Sequence, residues 1–291
     1  MSDAENKGLL KTVLGATAGV LMGTTALASE ISHSAGQFDV YQFSLDNGMQ
    51  VVVLPNNRAP IVHHMVWYKV GAADEDPGQS GIAHLLEHLM FKGTDTHPGD
   101  AYSQFIVRKG GKENAFTSND QTAYHQTIAK EHLPQIMAME ADRMTGLTLG
   151  EEEFQSERNV VIEEREQRIG NNPGAQLGEA MMAALYMNHP YRIPVIGWRR
   201  EIEALTREQV LDFYTDWYAP QNAILVVAGD VTAEEVQGLA QDTYGAVPAV
   251  DTARSRARAL EPIHWGQRRV EIEDEKVGTA QLLLRYLAPT D

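Results

Sequence analysis

The residues with the clearest capacity for chemistry are His84-Leu85-Leu86-Glu87-His88. Two histidines four apart on a helix lie one above the other, with Cβ atoms about 6 Å apart, so both imidazoles can reach one metal ion. Glu87 follows His84 by three residues and stands on nearly the same face. That places a carboxylate beside an open metal position, where it can take a proton from water. The order inverts the commoner H-E-x-x-H signature. The chain has no cysteine, so disulfides, thiolate ligands and thiol nucleophiles are excluded and any metal must be held by histidine and carboxylate. A catalytic zinc takes three protein ligands and keeps one position open, commonly with two histidines and one carboxylate. The third donor is sought in the acid-rich stretch from Glu151 to Arg168. On a helix there, Glu157 and Glu164 are seven apart and share a face, whereas Glu163 and Glu166 point away from it. Glu164 is therefore the expected ligand, of one zinc ion per chain. Glu157, two turns away, is the expected supporting acid, able to hold the water or a ligating histidine in place.

The other histidines fit less well. His63 and His64 are neighbours on an expected strand and face opposite ways. His125 and His132 could line a cleft but read more simply as structural, and His189-Pro190-Tyr191 reads as a turn. No G-x-S-x-G elbow, P-loop or G-x-G-x-x-G is present.

Several elements must position these groups. Tyr41 to Leu45, the turn Asp46-Asn47-Gly48 and Met49 to Leu54 read as a hairpin. Ile61 to Val70 reads as a strand. The polar approach from Asp74 to Gly81 leads to a helix from about Ile82 to Phe91 that carries the histidines. Gly110-Gly111 ends another helix. Ala115 to Thr117 and Thr122 to Ile128 read as strands around Ser118-Asn119-Asp120. Helices are expected at about 131 to 145, 150 to 169, 175 to 187, 206 to 217 and 233 to 243, with a strand from Ala223 to Ala228. The Ala- and Arg-rich stretch 251–266 reads as a linker. Val270 to Glu273 and Gln281 to Leu287 then read as strands of a further unit that is only beginning.

A chain of 291 residues, 43% hydrophobic, can bury one large core or one domain and part of another. Its formal charge of −16 argues against a nucleic-acid partner, since phosphates are bound through excess Lys and Arg. At the N-terminus, Lys7 and Lys11 precede a mostly apolar run from Thr12 to Ala28 that ends in Ala26-Leu27-Ala28. This has the form of a signal peptide over 1–28 cleaved after Ala28, so export to the periplasm or cell envelope is expected, with no stable membrane span afterwards.

These stretches together resemble the M16 (pitrilysin-like) zinc metallopeptidases, which include insulin-degrading enzyme and mitochondrial processing peptidase. The resemblance rests on Gly81-Ile82-Ala83-His84-Leu85-Leu86-Glu87-His88-Leu89-Met90-Phe91-Lys92-Gly93-Thr94, on Asn114-Ala115-Phe116-Thr117 and on Glu157-Arg158-Asn159-Val160-Val161-Ile162-Glu163-Glu164. Weaker matches follow at His189-Pro190-Tyr191, Tyr218 to Asn222 and Gly229-Asp230-Val231. It implies an α+β fold with a mainly antiparallel sheet and helices packed on it, the first half of a duplicated two-domain architecture. Residues 29–250 would form the peptidase domain and 267–291 the start of an incomplete second one. It further implies zinc on His84, His88 and Glu164, Glu87 as general base, Glu157 as supporting acid, and Asn114, Ala115 and Phe116 on an edge strand that receives an extended peptide. The expected activity is endopeptidase cleavage of unfolded peptides or small proteins, completed by a second M16-like half in cis or in trans. The alternative is a non-catalytic subunit that scaffolds or completes a partner peptidase. Such subunits lack part of the metal set, and here His84, Glu87, His88 and Glu164 are all present.

Overall fold

The computed structural model describes residues 30–36, 39–250 and 254–288. The expected export segment, 1–28, lies outside them. The described residues open with β1 (Ser32–Ser34), β2 (Val40–Ser44), β3 (Gln50–Pro55) and β4 (Ile61–Tyr68). Next come α1 (Ile82–Leu89), α2 (Ala101–Arg108), β5 (Lys112–Thr117), β6 (Thr122–Ala129) and α3 (Leu133–Thr145). Then follow α4 (Glu151–Arg165), α5 (Pro173–Leu185), α6 (Arg199–Ala204), α7 (Arg207–Trp217), β7 (Ala223–Gly229) and α8 (Ala233–Asp242). The strands form one mixed sheet in the order β1-β2-β3-β7-β4-β6-β5. β3 and β7 run parallel and the other neighbours antiparallel.

Alternation along the central strands separates two faces. In β4, Val62, His64, Val66 and Tyr68 are fully buried, while His63, Met65 and Trp67 on the other face are half-buried. Register carries the buried face across the sheet: Val66 pairs with Leu225 on β7 and with Tyr124 on β6. The helices add Leu85, Leu86, Ile136, Phe154, Val161 and Phe213 to the same core. His64 lies inside it, hydrogen-bonded to Gln126 Oε1 at 2.7 Å and Tyr244 Oη at 2.8 Å. The two adjacent histidines thus face opposite ways, and His63 packs its ring 5.2 Å from that of His125.

Most expected elements stand within a few residues of their expected ends. The strands expected at 270–273 and 281–287 do not form: residues 254–288 contain neither helix nor strand. A strand is completed only by a neighbour that takes its backbone hydrogen bonds, and here Leu282 and Leu284 are 84% and 69% exposed. The stretch read as a linker is fastened rather than loose. Arg254, Arg256 and Arg258, at every second position, pair with Asp76 at 3.0 Å, Asp74 at 2.9 Å and Asp120 at 2.7 Å respectively.

Candidate metal centre

α1 is built to present its polar stripe rigidly. Ile82, Leu85, Leu86 and Leu89 follow the i, i+3, i+4, i+7 pattern and are fully buried, each contributing about 1.5–3 kcal/mol. His84, Glu87 and His88 are left on the remaining face. The helix starts at Gly81, whose φ of 89° is open to glycine and strained for other residues. A Cβ there would also lie 2.7 Å from the Ile196 carbonyl oxygen. The free N–H groups of the first turn are met from outside: Glu75 accepts from Gly81 and Ala83 with both oxygens, each at 3.0 Å. Burial pushes the Glu75 carboxyl well above the usual range, against the pull of these two bonds.

α4 brings the acids. Phe154 and Val161, seven apart, are buried and anchor one stripe, which places Glu157 and Glu164, also seven apart, toward α1. Glu164 Oε2 lies 3.7 Å from His84 Nε2 and 3.5 Å from His88 Nε2, and the three donor atoms lie within 4.8 Å of one another. Ligands about 2.0–2.1 Å from a tetrahedral zinc sit roughly 3.3 Å apart, so the two His–Glu164 sides of the triangle are close to a zinc set, and the donors need to draw in by up to about 1.5 Å on the widest side to close around the ion. Glu164 Oε2 is buried and has no hydrogen-bond partner. A carboxylate oxygen in that state, between two imidazole nitrogens, is satisfied by a cation. The other oxygen, Oε1, is held by Arg168 one turn on, at 2.6 Å, which leaves Oε2 as the single donor. The residues present therefore fit a divalent zinc ion.

The protonation states suit this reading. His84 is pushed down to about 3, first by burial and then by the neighbouring His88 and Arg168, so its imidazole is neutral with a lone pair to donate. His88 points Nδ1 at Glu157 Oε1, 3.2 Å away, and this hydrogen bond fixes the tautomer that leaves Nε2 free. Glu157 is also paired with Lys92. His84 Nδ1, by contrast, has no hydrogen-bond partner; its ring is set by packing 4.8 Å from that of His88 at 71°.

Glu87 lies beside this set without joining it. Burial raises its carboxyl above the ordinary value, partly offset by a hydrogen bond from Thr117 Oγ1 to Oε2 at 2.5 Å. A carboxylate with its affinity for protons raised this way is suited to act as a general base. Thr117 ends β5, and β5 is the edge of the sheet. Asn114 is exposed there, and Ala115 and Phe116 are half-buried. Ala115 N–H donates to Asn114 Oδ1 at 2.9 Å, and Phe116 meets Trp67 edge-on with ring centroids 5.3 Å apart. The three expected peptide-binding residues thus share one open edge next to Glu87. A cavity of about 320 Å³ lined by Pro55, Asn57, Lys130, Asp230, Val231, Thr232 and Glu235 includes none of the site residues.

Thr117, Lys92 and Arg168 join the site in the structure without an expected role. Arg168 carried a usable signal in its i, i+4 spacing from Glu164. Thr117 and Lys92 meet their partners only through the tertiary fold.

A mixed sheet with helices packed on it, and an inverted two-histidine helix facing a glutamate helix, define a metallopeptidase class. The description "Insulinase (Peptidase family M16)" matches residues 51–198, and "Peptidase M16 inactive domain" matches residues 204–291. The chain belongs to peptidase family M16. Among curated relatives, "Zinc protease PqqE" of Helicobacter pylori is 35% identical over 248 residues, which is 84% of this chain and 56% of that protein. The beta subunit of the Bos taurus mitochondrial-processing peptidase is 28% identical over 238 residues, 82% of this chain and 48% of that one. Among solved structures, a protease from Helicobacter pylori superposes with a TM-score of 0.73 at 34% identity, covering 80% of this chain and 55% of that one. The first half of the periplasmic protease PqqL from Escherichia coli gives 0.69 at 27% identity, covering 75% and 48%. The chain spans about half the length of the curated relatives it matches.

Proposed function

We propose that this chain is the catalytic half of a zinc-dependent endopeptidase that cleaves unfolded peptides or small proteins. One observation carries the reading: His84 Nε2 and His88 Nε2 lie 3.7 and 3.5 Å from the unpartnered Glu164 Oε2, with Glu87 alongside. His84, His88 and Glu164 would hold the metal, and zinc bound there supplies Lewis-acid polarisation of the scissile carbonyl and acidifies water. Glu157 keeps His88 in the ligating tautomer. The peptide lies as an added strand along Asn114, Ala115 and Phe116, so recognition reads backbone more than side chains. Glu87 takes a proton from the attacking water and delivers it to the leaving amine. The complete metal set weighs against the non-catalytic alternative.

The relatives' greater length supports a further part of this reading, a second M16-like half that closes over the substrate in cis or in trans. Residues 267–291 would begin it, after a peptidase domain over 29–250. Export to the periplasm is supported by the Ala26-Leu27-Ala28 cleavage pattern and by the periplasmic relative; N-terminal sequencing of envelope protein should give Ser29. No helix among the described residues is long and apolar enough to cross a membrane.

The deciding experiment measures zinc content and hydrolysis of an unstructured peptide for wild type and Glu87→Gln. Equal zinc, near one per chain, with hydrolysis lowered by at least about 10²-fold is expected. Wild type without zinc, or Glu87→Gln as active as wild type, overturns the proposal.

A further inference from the structure

The general base has one protein hydrogen bond that its role does not yet explain. Glu87 is a helix residue with three rotatable side-chain bonds, and its carboxylate presents two chemically equivalent oxygens. Thr117, on the edge strand, donates its hydroxyl to one of them, Oε2, at 2.5 Å. The hydroxyl has a single proton to give. Its other neighbour, Thr122 Oγ1, is 3.5 Å away and is itself turned to the Val70 carbonyl at 3.0 Å. The charged acceptor takes the proton, as expected for the stronger, charge-assisted bond. Thr117 is β-branched and sits in a strand, so its χ1 is restricted.

We infer that Thr117 is a positioning residue that makes Glu87 a one-oxygen base. This rests on the endopeptidase reading. With the Thr117 hydroxyl donating to Oε2 and making that oxygen the less basic of the two, the proton removed from water is received on Oε1: the water O–H bond breaks, an Oε1–H bond forms, and the water oxygen bonds to the carbonyl carbon as the C=O π bond opens to an oxyanion. The same Oε1–H then breaks as an N–H forms on the leaving amine, the C–N bond opens and the C=O bond re-forms. Proton uptake and delivery therefore use one oxygen, and no carboxyl rotation is needed between them. Because Thr117 ends the strand whose residues 114–116 are the proposed peptide edge, the base is also in register with the bound backbone; misplacement of such a group by 1 Å can cost about 10²-fold.

The test compares Thr117→Val, which keeps shape and β-branching but removes the hydroxyl, with Thr117→Ser, which keeps the hydroxyl. Zinc content, thermal midpoint, kcat and KM for a quenched fluorescent peptide, and crystal structures of the variants are measured. Thr117→Val should hold one zinc, melt as wild type and lose about tenfold or more in kcat with KM unchanged. Its Glu87 should occupy more than one rotamer. Thr117→Ser should return kcat to within about threefold of wild type and restore the single rotamer. Wild-type kcat in Thr117→Val, a loss not rescued by serine, or an unmoved Glu87 overturns the inference. Should wild type cleave no faster than Glu87→Gln, the endopeptidase reading fails instead, and the Glu87 rotamer still decides whether Thr117 positions it.

Discussion

Glu157 touches no proposed reacting atom, yet its removal should be felt at the metal. Its side chain is 12% exposed and bridges His88 Nδ1, at 3.2 Å, to Lys92. In Glu157→Gln the imidazole N–H keeps an acceptor but loses the charged one. Hydrogen bonds to charged groups are worth about 1.5–3 kcal/mol and neutral ones about 0.5–1.5 kcal/mol, so the exchange costs His88 about 1–1.5 kcal/mol. Lys92 also loses its counterion, but its side chain is a third exposed and solvent screens most of that effect. The sum is close to 1.4 kcal/mol, or about tenfold weaker zinc binding, at the low end of the range for losing a group behind a ligand. Competition titration against a chromophoric chelator measures it, with circular dichroism to show an intact fold. Lys92→Met, which removes the cation and keeps the acceptor, should not weaken zinc. If Glu157→Gln binds zinc within twofold of wild type, His88 is oriented by packing alone and the reasoning is wrong.

Three further outcomes are expected. Glu164→Ala should lose zinc and Glu163→Ala retain it, by metal analysis after gel filtration; the reverse pattern would refute the helical-face assignment. His64 is held below its ordinary pKa chiefly by burial, so it is neutral when folded and gains a proton on unfolding below about pH 6.5. The unfolded state then binds more protons, and stability should fall as pH drops from 7 to 5.5. Urea melts of the metal-free protein should show a shallower decline for His64→Gln, and identical slopes would remove His64 from the account. Finally, the 291-residue chain alone should bind zinc fully but turn over peptide poorly, because substrate must be held in near-attack geometry. Supplying a second M16-like half in trans should raise kcat without changing zinc content; an isolated monomer as fast as the complemented form would exclude a need for that half.

What the sequence made legible follows the range of the forces involved. α1 could be read because its apolar and polar stripes both obey the helical period, and the choice of Glu164 over Glu163 followed from the same geometry. α2 and α6 were harder: one was inferred only from the glycines that end it, and α6, six residues long, carries too short a pattern to stand out. The strands expected at 270–273 and 281–287 mislead for the opposite reason. Their alternation is local, but a strand exists only when a partner takes its hydrogen bonds. Thr117 and Lys92 reach Glu87 and Glu157 from separate elements, and no local pattern announces such meetings.

The bond from Ala115 N–H to Asn114 Oδ1 has a bearing on how the protein behaves at high concentration. An open sheet edge is a template for any extended chain, including the edge of another copy of the same molecule. Here one edge donor is already occupied by its neighbour's amide, and Lys112 adds an exposed charge at the start of the strand. Two such edges meeting would have to break both caps. If the edge receives a peptide as proposed, a single flexible guest has one amide cap to displace, where self-association has two.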